Sequence, residues 1–404
     1  MMNTNRPAAG QGLAAIPLAA AVLWLVLAVA PIQSPLTAQG HDRDVPMPEM
    51  EWDGHVKFHG RASFPPSGTA LDAVSRGSQV HSDGLIELRF NHTACLSDMV
   101  FTEINWEAGF GGGDTRRNGQ ALRERFPDFF PRGLFNPPND DRRFADLTWA
   151  VHEGDTTMAF HRLDRAFVAF TPSWGEVRLG RQAVTWGHGF TFNPMDLFNP
   201  FAPADLERDY KTGDDMVLVR LPFKSMEFEW VYVARRESDT GSRDPNEHSM
   251  GAKTHLAMDG AELDLILIRH FQDWVAGMGV AGYIKNAAWR FDLTGTFLDD
   301  ASQGQSFYVS AVANVDYSWT WLGKNWYGFF ELYYNGLSRD NFQDQYGDPA
   351  VNARMDRGEL FVLGSLYASG QIHLEVHPLV NCYFSPIVNL RDGSFLLLPR
   401  MVYD

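Results

Sequence analysis

From about residue 54 onward, apolar residues recur at every second position over runs of about eight to twelve residues. In Ala288 to Phe297 one side reads Trp289, Phe291, Leu293, Gly295, Phe297, and the other Arg290, Asp292, Thr294, Thr296. Met226 to Arg235 sets Met226, Phe228, Trp230 and Tyr232 against Glu227, Glu229 and Arg235. Asp98 to Glu107 sets Val100, Thr102, Ile104 and Trp106 against Phe101, Glu103, Asn105 and Glu107. Gln305 to Tyr317, Gln371 to His377 and Leu85 to His92 repeat the pattern, with Gly, Pro, Asp and Asn between runs. Side chains alternate across a strand, so each run has one greasy and one polar face.

A soluble sandwich, a propeller or a membrane barrel could hold such strands. A propeller needs a repeat of roughly 40–50 residues, and the sequence has none. The runs are closer to the about 9–11 residues of a membrane strand than to the about 5–6 of a globular one. Aromatics gather near run ends, as at Trp106, Trp174, Trp186, Tyr317, Trp319, Trp321, Trp326 and Tyr383, where interfacial girdles would lie. The expected fold is therefore all-β: a transmembrane antiparallel up-and-down β-barrel of about 14–18 strands, an even number near 16 fitting best. Residues 116–141 and 337–357 read as long loops, and no helical domain is visible.

The first residues point to export. Arg6 precedes an almost wholly apolar stretch, Leu13 to Ala30, and Leu36-Thr37-Ala38 offers a small-residue cleavage site. The expected division is a signal peptide over 1–38, a flexible mature N-terminus over 39–53 and the barrel over 54–404. The location implied is the bacterial outer membrane. An uncleaved anchor helix is the alternative. A net charge of −16 argues against nucleic-acid binding. A mean hydropathy of −0.25 rules out a multi-pass helical protein. Cys95 and Cys382 could be bonded or free.

The most distinctive segment runs from Val177 to Asp215. It contains Gly180-Arg181-Gln182, then Trp186-Gly187-His188-Gly189, then Asn193-Pro194-Met195-Asp196-Leu197-Phe198-Asn199-Pro200. Proline cannot continue a ladder, so a loop follows the strand. That loop carries Phe190, Phe192, Phe198 and Phe201, too apolar for an excursion into water, so residues 187–213 are expected to fold inward. Over about 40 residues this segment resembles porin-like Gram-negative outer-membrane barrels related to the alginate-export channels. The resemblance implies that Arg178, Arg181, Gln182, Asp196 and Arg208 line or brace the lumen. The alternative is that Gly180, Gly187, Asn193 and Pro194 only shape a turn. Barrels of this kind often finish on an aromatic residue, whereas here Tyr403 is next to last, which suggests truncation by one or two strands.

Catalytic and cofactor chemistry finds no footing. His55/His59 and His373/His377 are four apart, but on strands that is about 13 Å, too far to chelate a metal. There is no nucleophile elbow and no Cys-x-x-Cys-His haem attachment. No enzyme, cofactor or metal is expected. Alternation places Glu103, Glu107, Glu227, Glu229, Arg290 and Asp292 on the lumenal face, with Glu87, Glu331 and Glu375, and an excess of carboxylates, offset in part by Arg89, Arg178, Arg235 and Arg290, would favour cations or neutral solutes. The expected function is a porin-like channel for small polar solutes or ions. Its partners would be outer-membrane lipid and the barrel assembly machinery, with self-association open by analogy of fold. The alternatives are a dedicated exporter or sheath for a polysaccharide or redox partner, and a soluble secreted glycan-binding β-protein.

Overall fold

The computed structural model describes residues 21–28, 50–64, 74, 75, 78, 80–125, 138–200, 210–299, 305–338 and 348–403. In chain order its strands are β1 (Ala21–Ala28), β2 (Met50–Phe64), β3 (His81–Ser97), β4 (Val100–Gly113), β5 (Thr148–Glu153), β6 (Thr157–Phe170), β7 (Glu176–Gln182), β8 (Asp214–Phe223) and β9 (Met226–Val233). Then follow β10 (Ser249–Met258), β11 (Ala261–His270), β12 (Asp273–Ile284), β13 (Ala287–Phe297), β14 (Phe307–Trp321), β15 (Lys324–Asn335), β16 (Leu366–His377), β17 (Val380–Asn389) and β18 (Phe395–Tyr403). Every pairing with a described register is antiparallel, and from β6 each strand pairs with the next. β5 interrupts the meander: β4 pairs directly with β6, while β5 and β7 divide the other edge of β6 between them. Without β1 and β5 the meander has sixteen strands.

Turn chemistry separates the two ends. At one end lie two-residue turns, Lys224-Ser225, Asp259-Gly260, Lys285-Asn286 and Leu322-Gly323. Lys224, Gly260, Lys285, Leu322 and Gly323 have positive φ there, the geometry that tight hairpins demand. The opposite end carries the long connections 114–147, 183–213, 234–248 and 336–365. Short turns on one side and long loops on the other is the arrangement of outer-membrane barrels.

Burial is inside out relative to a soluble protein. On β13, Phe291 and Phe297 are exposed while Asp292, Thr294 and Thr296 are buried. On β11, Leu265 and Leu267 are exposed while Asp264 is buried. A soluble sandwich would hide the apolar faces, so the secreted water-soluble alternative does not fit. Exposed aromatics form two belts: Phe110, Trp149, Trp274, Phe297, Phe307 and Phe395 at the long-loop end, and Phe170, Trp174, Phe223, Trp321 and Tyr403 at the tight-turn end.

Three features differ from the sequence reading. The first barrel strand starts at Met50, inside the stretch expected to be flexible. Two helices interrupt the expected loops: α1 (Asp114–Arg125), with Asp114 in its first turn and Arg123 and Arg125 in its last, and α2 (Pro349–Asp356), capped by Asp348. Finally, Ala21–Ala28, inside the expected leader, forms β1, which pairs with β2 and packs beside β18. In the full-length chain β1 occupies the position between β2 and β18 at which these two strands would pair once a leader is removed. Cys95 and Cys382 are free.

Candidate lumen constriction

The connection from β7 to β8 starts from a fixed arginine. Arg181 is 2% exposed; its guanidinium donates to both Asp215 oxygens at 3.0 Å, to Asp140 Oδ2 at 2.8 Å and to the Ala145 carbonyl at 2.8 Å. Burial pushes the Asp140 carboxyl up, but Arg143 and Arg181 outweigh it and hold it below its ordinary value. Gln182 Nε2 donates to the Met216 carbonyl at 3.4 Å.

The loop is then braced by its own asparagines. Asn193 donates to the Trp186 carbonyl (3.0 Å) and accepts from the Met195 N–H (3.3 Å). Asn199 accepts from the Val184 N–H (3.1 Å) and donates to the Thr212 carbonyl (2.9 Å). Each Asn-Pro pair therefore joins a residue that ends the ladder to one that satisfies the freed backbone. Gly187 has φ +85, and a Cβ on Gly189 would strike the Phe192 carbonyl, so both glycines are required by the turn. Trp186, Met195 and Phe198 bury against the inner wall at Met216, Leu218, Val231, Val233, Ile266, Ile268 and Val275.

The loop next fastens to the wall beyond. The His188 N–H donates to Asp292 Oδ2 at 2.6 Å, and His188 Nδ1 lies 2.7 Å from Asp292 Oδ1. Asp264 Oδ2 is 3.6 Å from Nε2 of the same imidazole. On β15, Glu331, 0% exposed, accepts the backbone N–H groups of Phe190, Thr191 and Phe192 at 2.6, 3.0 and 2.9 Å. Asn314 on β14 donates to the His188 carbonyl (3.0 Å) and to Glu331 (3.2 Å). Phe192 stacks on Tyr333 at 4.5 Å, and Phe190 meets Phe329 at 4.7 Å beneath the Arg290 guanidinium.

The returning end reaches the opposite side of the lumen. Tyr210 stacks against His55 of β2 and lies beneath Arg89 of β3, 4.0 Å from its guanidinium carbon. Arg165 of β6 donates to the Lys211 carbonyl at 2.6 Å. Lys211 also pairs with buried Asp196. Burial drives the Asp196 carboxyl up to about 7, with Lys211 pulling against it. The described parts of the connection thus touch the wall at β2–β3 and again at β13–β16.

The residues expected from the sequence sort into three roles. Asp292 and Arg290 hold the loop against the far wall, while Arg181, Gln182 and Asp196 anchor its base. Arg178 pairs with Glu176 (2.7 Å) and lies over Phe167. Glu103 accepts from Asn105 (2.8 Å), and Glu227 meets Arg220 (3.4 Å). Arg208 lies outside the described residues.

The expected surplus of lumenal carboxylates is offset further than the sequence reading had it, by Arg162, Arg165 and Lys253 in addition to Arg89. Glu107 is met by Arg162 (2.8 Å) and Arg89 (3.6 Å), Asp164 by Arg89 (2.8 Å) and Arg165 (3.1 Å), and Glu229 by Lys253 (2.7 Å). Glu331, expected to be one more free charge, is consumed by backbone donors. His188, Asn314, Arg162, Asp164 and Asp264 were not singled out as site residues, although alternation put Asn314 on the polar face of β14, where it stands opposite Arg290. Among the described residues no His, Cys, Asp or Glu group has metal-binding geometry.

No family model matches this sequence, and no curated protein does. Solved structures with a similar course include OmpF of Salmonella typhi in complex with daunomycin (8% identity, 88% of this chain and 97% of that one, TM-score 0.46). A porin of Rh. blastica (8%, 88% and 99%, 0.43) and the anion-selective porin from Comamonas acidovorans (10%, 89% and 96%, 0.41) are further examples. At TM-scores below 0.5 these likenesses add nothing to what the strand pairing and burial already establish.

Proposed function

We propose that this protein is a passive porin-like channel of the bacterial outer membrane for small polar solutes or ions, narrowed by the inward-folded 183–213 loop. One observation carries the reading. The strands expose Phe291, Leu265 and Leu267 outward and bury Asp292 and Asp264 inward, and a segment with its own hydrogen-bond anchors crosses that polar interior. Hydrocarbon on one face and water on the other is the environment that makes such strands stable. In this reading lipid contacts the outer belts, and the assembly machinery inserts the chain after removal of a leader ending near Ala38. Kinship with alginate-export barrels is part of the proposal and rests on the Gly180-Arg181-Gln182 to Asn199-Pro200 segment.

Membrane fractionation and liposome swelling test it. The mature chain should require detergent for extraction, and liposomes carrying it should swell in small sugars, more slowly as the sugar grows. A chain that stays in the aqueous fraction, or liposomes that do not swell, would overturn the proposal.

A further inference from the structure

The lumenal wall opposite the loop's base carries a row of residues that the constriction leaves unused. Tyr327, His373, Tyr383 and Arg400 are direct cross-strand partners on β15, β16, β17 and β18. They share the inward face, since Arg400 alternates with outward Met401 and Tyr403 and follows buried Leu398. His373 and Tyr383 stack at 4.4 Å with 7° between their planes, and the Arg400 guanidinium lies over Tyr383 at 4.4 Å. The imidazole is steadied by Asn381 at 2.9 Å. All four side chains are half-buried, and a cavity of about 270 Å³ opens against Tyr327 and His373.

Arg400 differs from its neighbours in charge balance. Arg89, Arg181, Arg220, Arg235 and Arg290 each lie within 4 Å of a carboxylate. Arg400, among the described residues, has none; Tyr383 is its contact. Glu375, one row nearer the tight turns, is held by Asn325 at 3.1 Å. The guanidinium fixed over the Tyr383 ring presents a planar fork of donors, beside an imidazole that meets Asn381 and phenols that can donate or accept.

We infer that the Tyr327–His373–Tyr383–Arg400 row is a binding strip for solutes carrying a carboxylate, so that anionic small molecules dwell there as they pass. The guanidinium supplies a charge-assisted bond to the carboxylate, and the stacked rings fix its plane. This rests on the channel reading and names its preferred solute class.

The test uses the mature chain in planar bilayers bathed in KCl, with sodium benzoate or uncharged benzamide as probe. Benzoate should interrupt the current at a concentration about tenfold lower than benzamide, and Arg400→Gln should raise the half-blocking benzoate concentration by about tenfold, the range of one charge-assisted bond. Arg400→Lys should fall between. Equal block by the two probes in the unsubstituted protein would overturn the carboxylate strip whether or not the variants fold. Block unchanged in folded Arg400→Gln would do the same. Absence of any current would instead defeat the channel reading on which the strip rests.

Discussion

Nδ1 of His188, at the tip of an inward-folded loop, lies 2.7 Å from Oδ1 of Asp292 on the barrel wall, and the same residue's backbone N–H reaches Asp292 Oδ2 at 2.6 Å. The hydrogen bond to Asp292 raises the imidazole's pKa above its ordinary value, while burial opposes the shift. A raised folded-state pKa means that the latch is fully charged below about 6.5 and loses that contribution as pH rises through the folded value. Current through single channels should therefore grow noisier from pH 6 to pH 9. Asp292→Asn should flatten that dependence. A pH-independent trace in the unsubstituted protein would contradict the assignment.

Asp196 works in the same direction. Its carboxyl, driven up to about 7 by burial, contributes stability below its ordinary value of 3.8 that is lost as pH rises through about 7. Asp196→Asn removes the titration. Limited proteolysis between residues 201 and 209 should accelerate from pH 5 to pH 8 in the unsubstituted chain and change much less in the variant.

Glu331 accepts three backbone N–H groups with no cation among those contacts. Glu331→Gln turns one acceptor oxygen into a donor facing a donor, at about 1–3 kcal/mol. The loop, not the barrel, should be destabilised. Heat-modifiable migration in detergent should persist while the loop becomes protease-sensitive. Loss of the folded band itself would show that Glu331 supports the barrel rather than the loop.

Trp186 fills the apolar patch on the inner wall and is 1% exposed. Trp186→Ala should cost about 3–5 kcal/mol. Much of that falls on the loop's seat, since Trp186 belongs to the loop and the strand-to-strand hydrogen bonds do not run through it. Tryptophan fluorescence should lose its most blue-shifted component while β-sheet circular dichroism stays constant.

Just beyond α2, Glu359 lies 3.1 Å from Nε2 of buried His270, and this contact resists acid. Burial pushes the Glu359 carboxyl up, but His270, Arg357 and Arg354 overcome it and hold it at about 2. A depressed value means that its contribution is present above about 4.5 and lost only as pH falls through about 2. The α2 segment should resist protease at pH 4, and Glu359→Gln should abolish that resistance.

Most of the barrel could be read from the sequence because a strand has a period of two and the membrane enforces opposite chemistries on its faces. Trp289, Phe291 and Leu293 against Arg290, Asp292 and Thr294 needed no tertiary information. The phenylalanines of the 187–213 loop marked it as apolar in the sequence, and among the described ones Phe192 and Phe198 are buried while Phe190, 42% exposed, packs on Phe329. What Glu331 does was not legible. A carboxylate consumed by backbone donors looks identical in sequence to one facing water. The partners of Glu107 and Asp164 escaped for a related reason, since Arg89 and Arg162 come from different strands and pairing depends on register. α1 was hidden because its arginine-rich sequence carries little apolar periodicity.

The most direct test of the central claim is the unit conductance of the mature chain in a planar bilayer, before and after the loop's anchors are removed together by Asp292→Asn and Glu331→Gln. The account predicts discrete steps in the unsubstituted protein and a larger unit step in the double variant, because the obstruction swings clear of a standing barrel. Steps of unchanged size with the double variant folded, or no steps in either protein, would contradict it.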